Sequence, residues 1–437
     1  MLLWSARPNN LLILYYGWSG RDRQQKHGGF ERYFWARRPI GPFLEAIERG
    51  RGTNGCSHMN CCYNRQTMKE LLRQLIRARS TLDAGEQTAA NVVANHFERH
   101  GIGCRIDSWD PNRANVVAHI PSAGTRPGLL FVCHLDVVGP GEDPWIHPAF
   151  EGREVDGKIY GRGTVDMKGG IASTVAAICE VVASGVELQG DIVFAATAGE
   201  ETDSAGIERF AADLSWLGKP AGVIVPEPTD FAVITAHRGL FWLEITTKGK
   251  AVHSSVPQRG VNAIQSMRRV LEELERYEVD FEPHPELGKC SVSVNTIRGG
   301  EAMNIVPDRC AIGVDIRTLP GQNGDAIRCD LERMLAGLKA KVPHFDATIV
   351  VQRSVGAMET DSDCEFVRTF CSAVDVDQTN AIGFTTDAPH LASLGVPIVI
   401  YGPGQPGQCH QVDEHITVAD LERSQRYFRD ILLRFLT

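Results

Sequence analysis

No run of about 18 apolar residues occurs along the sequence, so hydropathy shows no membrane-spanning helix. Basic charge is not in excess. Lys and Arg number 45 against 54 Asp and Glu, a net charge of −9, so the surface offers no general attraction to nucleic acid or to an anionic membrane. The 12 cysteines are scattered, with none of the spacings of a disulfide framework, and read as reduced thiols in a cytoplasmic protein. No internal repeat and no low-complexity tract interrupts the chain. What is present is length, 437 residues, and 43% apolar content. That is enough for a sizeable core and, by length, for two domains rather than one.

Residues 1–67 do not match the rest. They hold three of the seven Trp and three of the 12 Cys, and ten Lys or Arg against four acids, a net of +6 that leaves −15 for the remainder. No helical or strand period is sustained there, and the apolar stretch Leu11 to Tyr16 is too short for a secretory core. The segment reads as a poorly ordered extension or, in the sharper reading favoured here, as upstream read-through with translation starting at Met59 or Met68. A basic, aromatic interaction tail is the functional alternative.

From Met68 the pattern is α/β. MKELLRQLIRARS has apolar residues at helical spacing, and Glu86 to His100 is a second helix stopped by Gly101. Asn115–Ile120, Gly128–Cys133, Asp191–Ala196, Gly222–Val225 and Pro397–Tyr401 read as apolar strands, with a small-residue helix from Met167 to Ser184. Such strands alternating with helices imply a mixed, largely parallel sheet with helices on both faces. Phe241–Thr247, Cys290–Ile297 and Cys310–Ile316 alternate more, and a helix at Ala263–Tyr277 separates the first two. An inserted α+β module at 233–351 is therefore expected between parts 68–232 and 352–437 of a main domain.

Chemistry collects just beyond the apolar strands, where open α/β sheets gather functional groups. His134-Leu135-Asp136 follows one strand: the His could hold a metal by one ring nitrogen while Asp136 takes the other N–H. Gly161 to Gly170 brackets Asp166 with glycines ahead of a helix, Glu200 and Glu201 are adjacent after another strand, Glu227 follows a third, and His410 ends a Gly- and Pro-rich loop. Each alone has a bland reading: a structural His, a capping Asp, solvated acids. Together two His and three carboxylates just after apolar strands or in Gly-rich loops are the donor mix of a dinuclear hydrolytic site, with Glu200 left over as a base.

The segments CHLDVV, GRGTVDMKGG, TAGEET, VPEPT and GQCHQVDEH make the chain resemble the zinc-dependent acetylornithine deacetylase, succinyl-diaminopimelate desuccinylase and carboxypeptidase G family, over about Met68 to Thr437. The resemblance implies two Zn²⁺ ions, with Co²⁺ able to substitute. His134 and Glu227 would hold one, Glu201 and His410 the other, and Asp166 would bridge them beside a cis peptide. Asp136 would orient His134 and Glu200 would serve as general base. The fold implied is a zinc-peptidase-like catalytic domain with an inserted lid that often makes a homodimer.

Within the insert, KAVHSS resembles the lid motif whose His, here His253, stabilises the oxyanion, often across subunits. Asn304 and Arg317 resemble lid residues that grip a substrate carboxylate, a task suited to the guanidinium fork. An ion pair of Arg317 with Asp315 is the bland alternative. The activity implied is cleavage of an N-acyl amino acid, N-acetyl-L-ornithine foremost. Desuccinylation and carboxypeptidase or aminoacylase action stand as alternatives; Thr386-Asp387 looks like the desuccinylases and Ala388-Pro389 like the deacetylases. Rival readings are a nucleotide-binding protein, since Gly402 to Gly407 spells GxGxxG, and a non-catalytic member of the fold. Two prolines within that loop weigh against the first, and the full donor set weighs against both.

Overall fold

The computed structural model describes residues 56–437, with side chains from Thr67 onward. The expectation for the first 55 residues lies outside the described part. In chain order come α1 (Cys56–Arg77), α2 (Gln87–Arg99), β1 (Cys104–Ser108), β2 (Ala114–Ile120), β3 (Leu129–His134), the hairpin β4 (Arg153–Val155) and β5 (Lys158–Tyr160), α3 (Lys168–Ser184), β6 (Ile192–Thr197), α4 (Ala205–Ala211), β7 (Gly222–Val225) and β8 (Val233–His237). There follow β9 (Leu240–Lys248), α5 (Ala263–Leu274), β10 (Ser291–Gly299), β11 (Arg309–Arg317), α6 (Gly324–Lys341) and β12 (Asp346–Val355). The chain closes with β13 (Met358–Glu359), α7 (Glu365–Ala373), β14 (Thr379–Ile382), β15 (Ile398–Ile400), β16 (His415–Thr417) and α8 (Val418–Leu436).

The large sheet has nine strands in the order β1-β2-β6-β3-β7-β15-β8-β13, with β14 paired to β8. Its centre, β6-β3-β7-β15, is parallel; toward the margins β2 pairs antiparallel with β6 and β1 with β2, and β8 pairs antiparallel with β15 and β13 with β8. The central strands are unbroken apolar runs because both faces are covered, and every residue of β3, β6 and β7 is buried. Alternate residues of β3 feed two cores. Leu129, Phe131 and Cys133 pack with α1, α2, α3, α7 and α8. Leu130 and Val132 pack on the opposite face with Ile207 and Phe210 of α4.

β9 to β12 form a separate antiparallel sheet in the order β10-β11-β9-β12. Phe241, Leu243 and Ile245 of β9, with Cys310, Ile312, Val314 and Ile316 of β11, bury one face against Met267 and Val270 of α5 and Leu331 and Leu335 of α6. The other face carries Trp242, Asp315 and Arg317 and is left partly open. Two expected boundaries move. β8 pairs with β13, β14 and β15 of the large sheet, so the insert begins after His237 rather than at 233. β12 keeps pairing with β9 as far as Val355, past 351. Neither shift shows in the sequence, because pairing partners rather than composition decide which sheet a strand joins.

The first helix also departs from expectation. It begins at Cys56, twelve residues before Met68, in a polar stretch whose lack of an apolar stripe hides a helix. Its described core contacts lie from Met68 onward: Met68, Leu71, Leu72, Leu75 and Ile76 are all buried. A chain starting at Met68 is therefore expected to fold and melt within about 4 °C of the full chain, whereas Leu72→Ala should cost about 2–5 kcal/mol. Thermal and urea unfolding measure both. Failure of the Met68 chain to fold would assign the preceding turns a structural role.

Candidate metal centre

β3 ends at His134, and the next turn returns Asp136 toward the loop after β6. One Asp136 oxygen accepts the N–H groups of Gly199 and Glu200 at 2.9 and 3.0 Å; the other accepts that of Glu201 at 2.9 Å. Burial works against this charge, yet the bond to His134 and the backbone donors hold Asp136 below the usual carboxylate range. His134 Nδ1 also lies 3.0 Å from the Asp136 carbonyl oxygen, which can only accept. The Nδ1 position therefore carries the proton and Nε2 is turned into the site.

His134 Nε2 lies 3.0 Å from Asp166 Oδ1 and 3.6 Å from Glu227 Oε1. On the other side of Asp166, His410 Nε2 is 3.4 Å from Oδ2 and 2.9 Å from Glu201 Oε1. Two donor sets thus share one carboxylate: His134, Asp166 and Glu227, then Asp166, Glu201 and His410, with the donor atoms of each set within 4.8 Å of one another. The Asp166–Met167 peptide is cis. Glu227 can stand so close because neighbours lack a side chain. A Cβ on Gly170 would lie 2.1 Å from Pro226 O, and one on Gly402 would lie 2.6 Å from Glu227 O.

A buried ion pair fixes the two distant ligands. Arg162 Nη1 and Glu414 Oε2 meet at 2.7 Å, both side chains essentially inaccessible. Glu414 Oε1 accepts the N–H of Val165 at 2.8 Å and of Asp166 at 3.3 Å. Arg162 donates to the carbonyls of Gly139, Gln411 and His410. That last bond steadies His410, whose φ of 65° is unusual for a non-glycine residue.

The donor set fits a pair of divalent cations. Burial, with neighbouring acids adding to it, pushes Glu200 well above the ordinary carboxylate range, raises Glu201, and raises Glu227 to about 7. Burial alone would strip His134 of charge, but Glu227, Asp136 and Asp166 hold it well above its usual value. So much negative charge with so few cationic side chains is what bound metal would relieve. Glu200 belongs to neither donor set, so its carboxyl would stay clear of metal held there.

His253, Asn304 and Arg317 are not brought to this cluster; none forms a hydrogen bond or ion pair with it among the described residues. His253 is exposed, its Nδ1 2.7 Å from Ser255 Oγ, and the Asn304 carbonyl accepts the Ser254 N–H at 3.0 Å. Arg317 donates to Asp315 at 3.1 and 3.2 Å, the bland pairing weighed above. Two residues absent from the sequence reading of the site do reach it. Arg353 of β12 donates to the Glu200 carbonyl and, at 3.0 Å, to Ser204 Oγ. Asp387 is buried and raised to about 7, by burial first and partly through the charge of Asp136. Arg353 had no motif to signal it. Asp387 stood within TTDAPH, weighed only as a clue to substrate.

Comparison with known proteins agrees with this picture. The chain belongs to peptidase family M20/M25/M40, whose model matches residues 130–434. It is a metal-dependent hydrolase acting on amides. A probable succinyl-diaminopimelate desuccinylase of Staphylococcus aureus strain MRSA252 is 30% identical over 391 residues, covering 79% of this chain and 92% of that protein. An acetylornithine deacetylase of Proteus mirabilis strain HI4320 is 31% identical over 387 residues, covering 84% and 97%. Among solved structures, an M20 family metallo-carboxypeptidase of Sulfolobus solfataricus shares the fold with a TM-score of 0.71 at 18% identity, covering 84% of this chain and 98% of that one. A dinuclear metal binding M20 peptidase of Bacillus subtilis does so with a TM-score of 0.62 at 16% identity, covering 84% and 98%.

The ion pair yields a test of the scaffold. Glu414→Ala leaves Arg162 charged and unpaired in the interior and is expected to cost about 3–5 kcal/mol. Because Asp166 and His410 lose their shared anchor, metal affinity should fall as well. Urea unfolding and metal titration read the two effects, and a variant of unchanged stability would remove the ion pair from this account.

Proposed function

We propose that the chain is a two-zinc hydrolase that removes a short acyl group from an amino acid, with N-acetyl-L-ornithine, giving L-ornithine and acetate, as the favoured substrate. The observation that carries the proposal is the pair of His–carboxylate sets joined at Asp166, with the half-buried acid Glu200 outside both. His134 and Glu227 would hold one zinc, Glu201 and His410 the other, with Asp166 between; Co²⁺ is expected to substitute. The segment Gly402 to His415 and the stretch Asp315 to Gly321 lean toward the deacetylases, as does the Proteus mirabilis relative. Succinyl-diaminopimelate is the second reading, favoured by the Staphylococcus aureus relative and by Thr386-Asp387. We place the protein in the cytoplasm, on the nine cysteines that stand as free thiols among the described residues.

When bound, the metal pair supplies Lewis-acid chemistry and lowers the pKa of water toward neutrality. Glu200 takes the proton from the attacking water and returns it to the leaving amine nitrogen. Asp136 keeps that loop in place through its three N–H bonds. His253 would donate to the oxyanion, and Asn304 and Arg317 would grip the substrate carboxylate, with Arg317 exchanging Asp315 for it. Since His253 is exposed and bonded to Ser255, it must be carried in by closure of the insert or offered by a second copy. A homodimer through the insert is supported by β10, an edge strand whose Val294 and Ile297 are exposed.

Metal analysis and turnover separate ligand from base. Asp166→Ala should lose both metals or hold them weakly. Glu200→Ala should keep them and lose about 10²–10⁴-fold in kcat. A panel of N-acyl amino acids on the zinc-loaded protein, with N-acetylornithine and N-succinyl-diaminopimelate included, ranks the substrates. Full activity after chelation would end the reading.

The lid residues give a separate expectation. His253→Ala should retain metal and fold but lose about 10²–10³-fold in turnover, as for removal of one oxyanion donor. Arg317→Ala should act mainly on KM. If His253 works across subunits, mixing His253→Ala with Glu200→Ala protein restores activity as subunits exchange. No recovery with exchange confirmed would confine His253 to its own chain or to no catalytic part.

A further inference from the structure

Away from the metal centre, α2 and α3 bring a second set of ligating side chains together. His96 lies in the last turn of α2, His100 is the cap residue that ends it, and Cys179 faces them from α3. One donor atom from each lies within 4.8 Å of the other two. We propose that His96, His100 and Cys179 form an additional metal site, built for a borderline-soft divalent cation such as Zn²⁺ and separate from the pair around Asp166.

The sequence supplies the local reason. His residues four apart stand one above the other on a helix, and the two rings are stacked, with centroids 4.8 Å apart and planes at 29°. His100 Nδ1 lies 2.8 Å from the His96 carbonyl oxygen. That oxygen can only accept, so Nδ1 carries the proton and the Nε2 lone pair is free to ligate. This is the outer bond by which a metal-binding His is usually oriented. His96 is buried, and burial draws its pKa down to about 4, so the ring is neutral at pH 7. Burial and the neighbouring Cys104 push the Cys179 thiol up to about 12. Binding therefore replaces S–H by S–metal and releases one proton to solvent.

Geometry and donor chemistry narrow the ion. Metal–nitrogen bonds of about 2.0–2.1 Å and a metal–sulfur bond of about 2.3 Å in a tetrahedron set the donors about 3.3–3.7 Å apart, a modest contraction from the 4.8 Å limit. With no carboxylate in the set, Mg²⁺ and Ca²⁺ are poor candidates. Three protein ligands leave one position open, and the half-exposed His100 gives the ion a way in. Arg99 in the same turn repels a cation, and Glu98, close to Cys104, offsets it. The bound ion would tie the end of α2 to α3, the helix that starts two residues after Asp166.

Cobalt(II) titration of the full-length, chelator-stripped protein tests the proposal, read by metal count and by the thiolate-to-cobalt absorption band. The expected result is three equivalents and a thiolate band. Cys179→Ser should abolish the band and the third equivalent while two equivalents and hydrolysis remain. His100→Gln, at a partly exposed helix end, should weaken the third equivalent at least about 10-fold. Cys409→Ser, which removes the thiol beside His410, should leave the band in place. Two equivalents without a thiolate band, or a band that survives Cys179→Ser, overturns the proposal.

Discussion

Arg162 and Glu414 meet at 2.7 Å in the interior, and the loops that carry the donor atoms hang on that contact. Taking two charges out of water costs several kcal/mol per ion, so such a pair is a poor source of stability. Here most of the remaining polar valences are used. The second Glu414 oxygen takes the N–H groups entering Asp166, and the guanidinium takes three carbonyls, that of His410 among them. An apolar pair of the same volume could fill the space but could not hold those backbone groups. The ion pair thus sets the distance between a carboxylate at the start of α3 and an imidazole some 244 residues later in a loop near the C-terminus.

Asp136 does the same for the opposite wall. Its carboxylate spans three consecutive N–H groups, which fixes the turn carrying Glu200 and Glu201, while its carbonyl sets the tautomer of His134. Adjacent acids on a rigid turn are given different surroundings. Glu201 meets His410, whereas Glu200 stands outside both donor sets. The different placing of the two carboxyls is a consequence of that turn, not of any difference in side-chain chemistry.

The sequence reads well wherever one local rule decides. β3, β6 and β7 are legible because burial on both faces demands unbroken apolar runs; His134, Glu201 and Glu227 are legible because they follow those runs, and Asp166 and His410 because they stand in Gly-rich segments. Elements set by distant partners are not. β8 is apolar like its neighbours, and only its pairing with β13 to β15 assigns it to the large sheet. α6 is missed although Ile327, Leu331, Leu335 and Leu338 form a helical stripe, because four buried residues in 18 are diluted by charge. Glu414 lies in a segment singled out for His410, yet its task depends on Arg162, 252 residues earlier. The stacking of His96 and His100 follows from their spacing, but no sequence rule brings Cys179 to them.

Arg353 joins the insert to the loop after β6. It stands opposite Trp242 in the lid sheet, and Trp242 stands opposite Asp315, so these residues share a row across the sheet on the face that the helices leave open. Arg353 lies over the Trp242 ring and donates to the Glu200 carbonyl and to Ser204, so that face is turned toward the loop that carries Glu200 and Glu201. Arg317 projects from the same face of β11, two residues beyond Asp315. A substrate carboxylate entering between the sheet and the loop would therefore compete with Asp315 for Arg317 without any rearrangement of β11. His253 is placed differently. It is bridged to Ile305 outside the strands, and its ring is already bonded to Ser255. Arg317 thus shares a face with Arg353, which touches the Glu200 loop, whereas His253 lies outside the strands of that sheet.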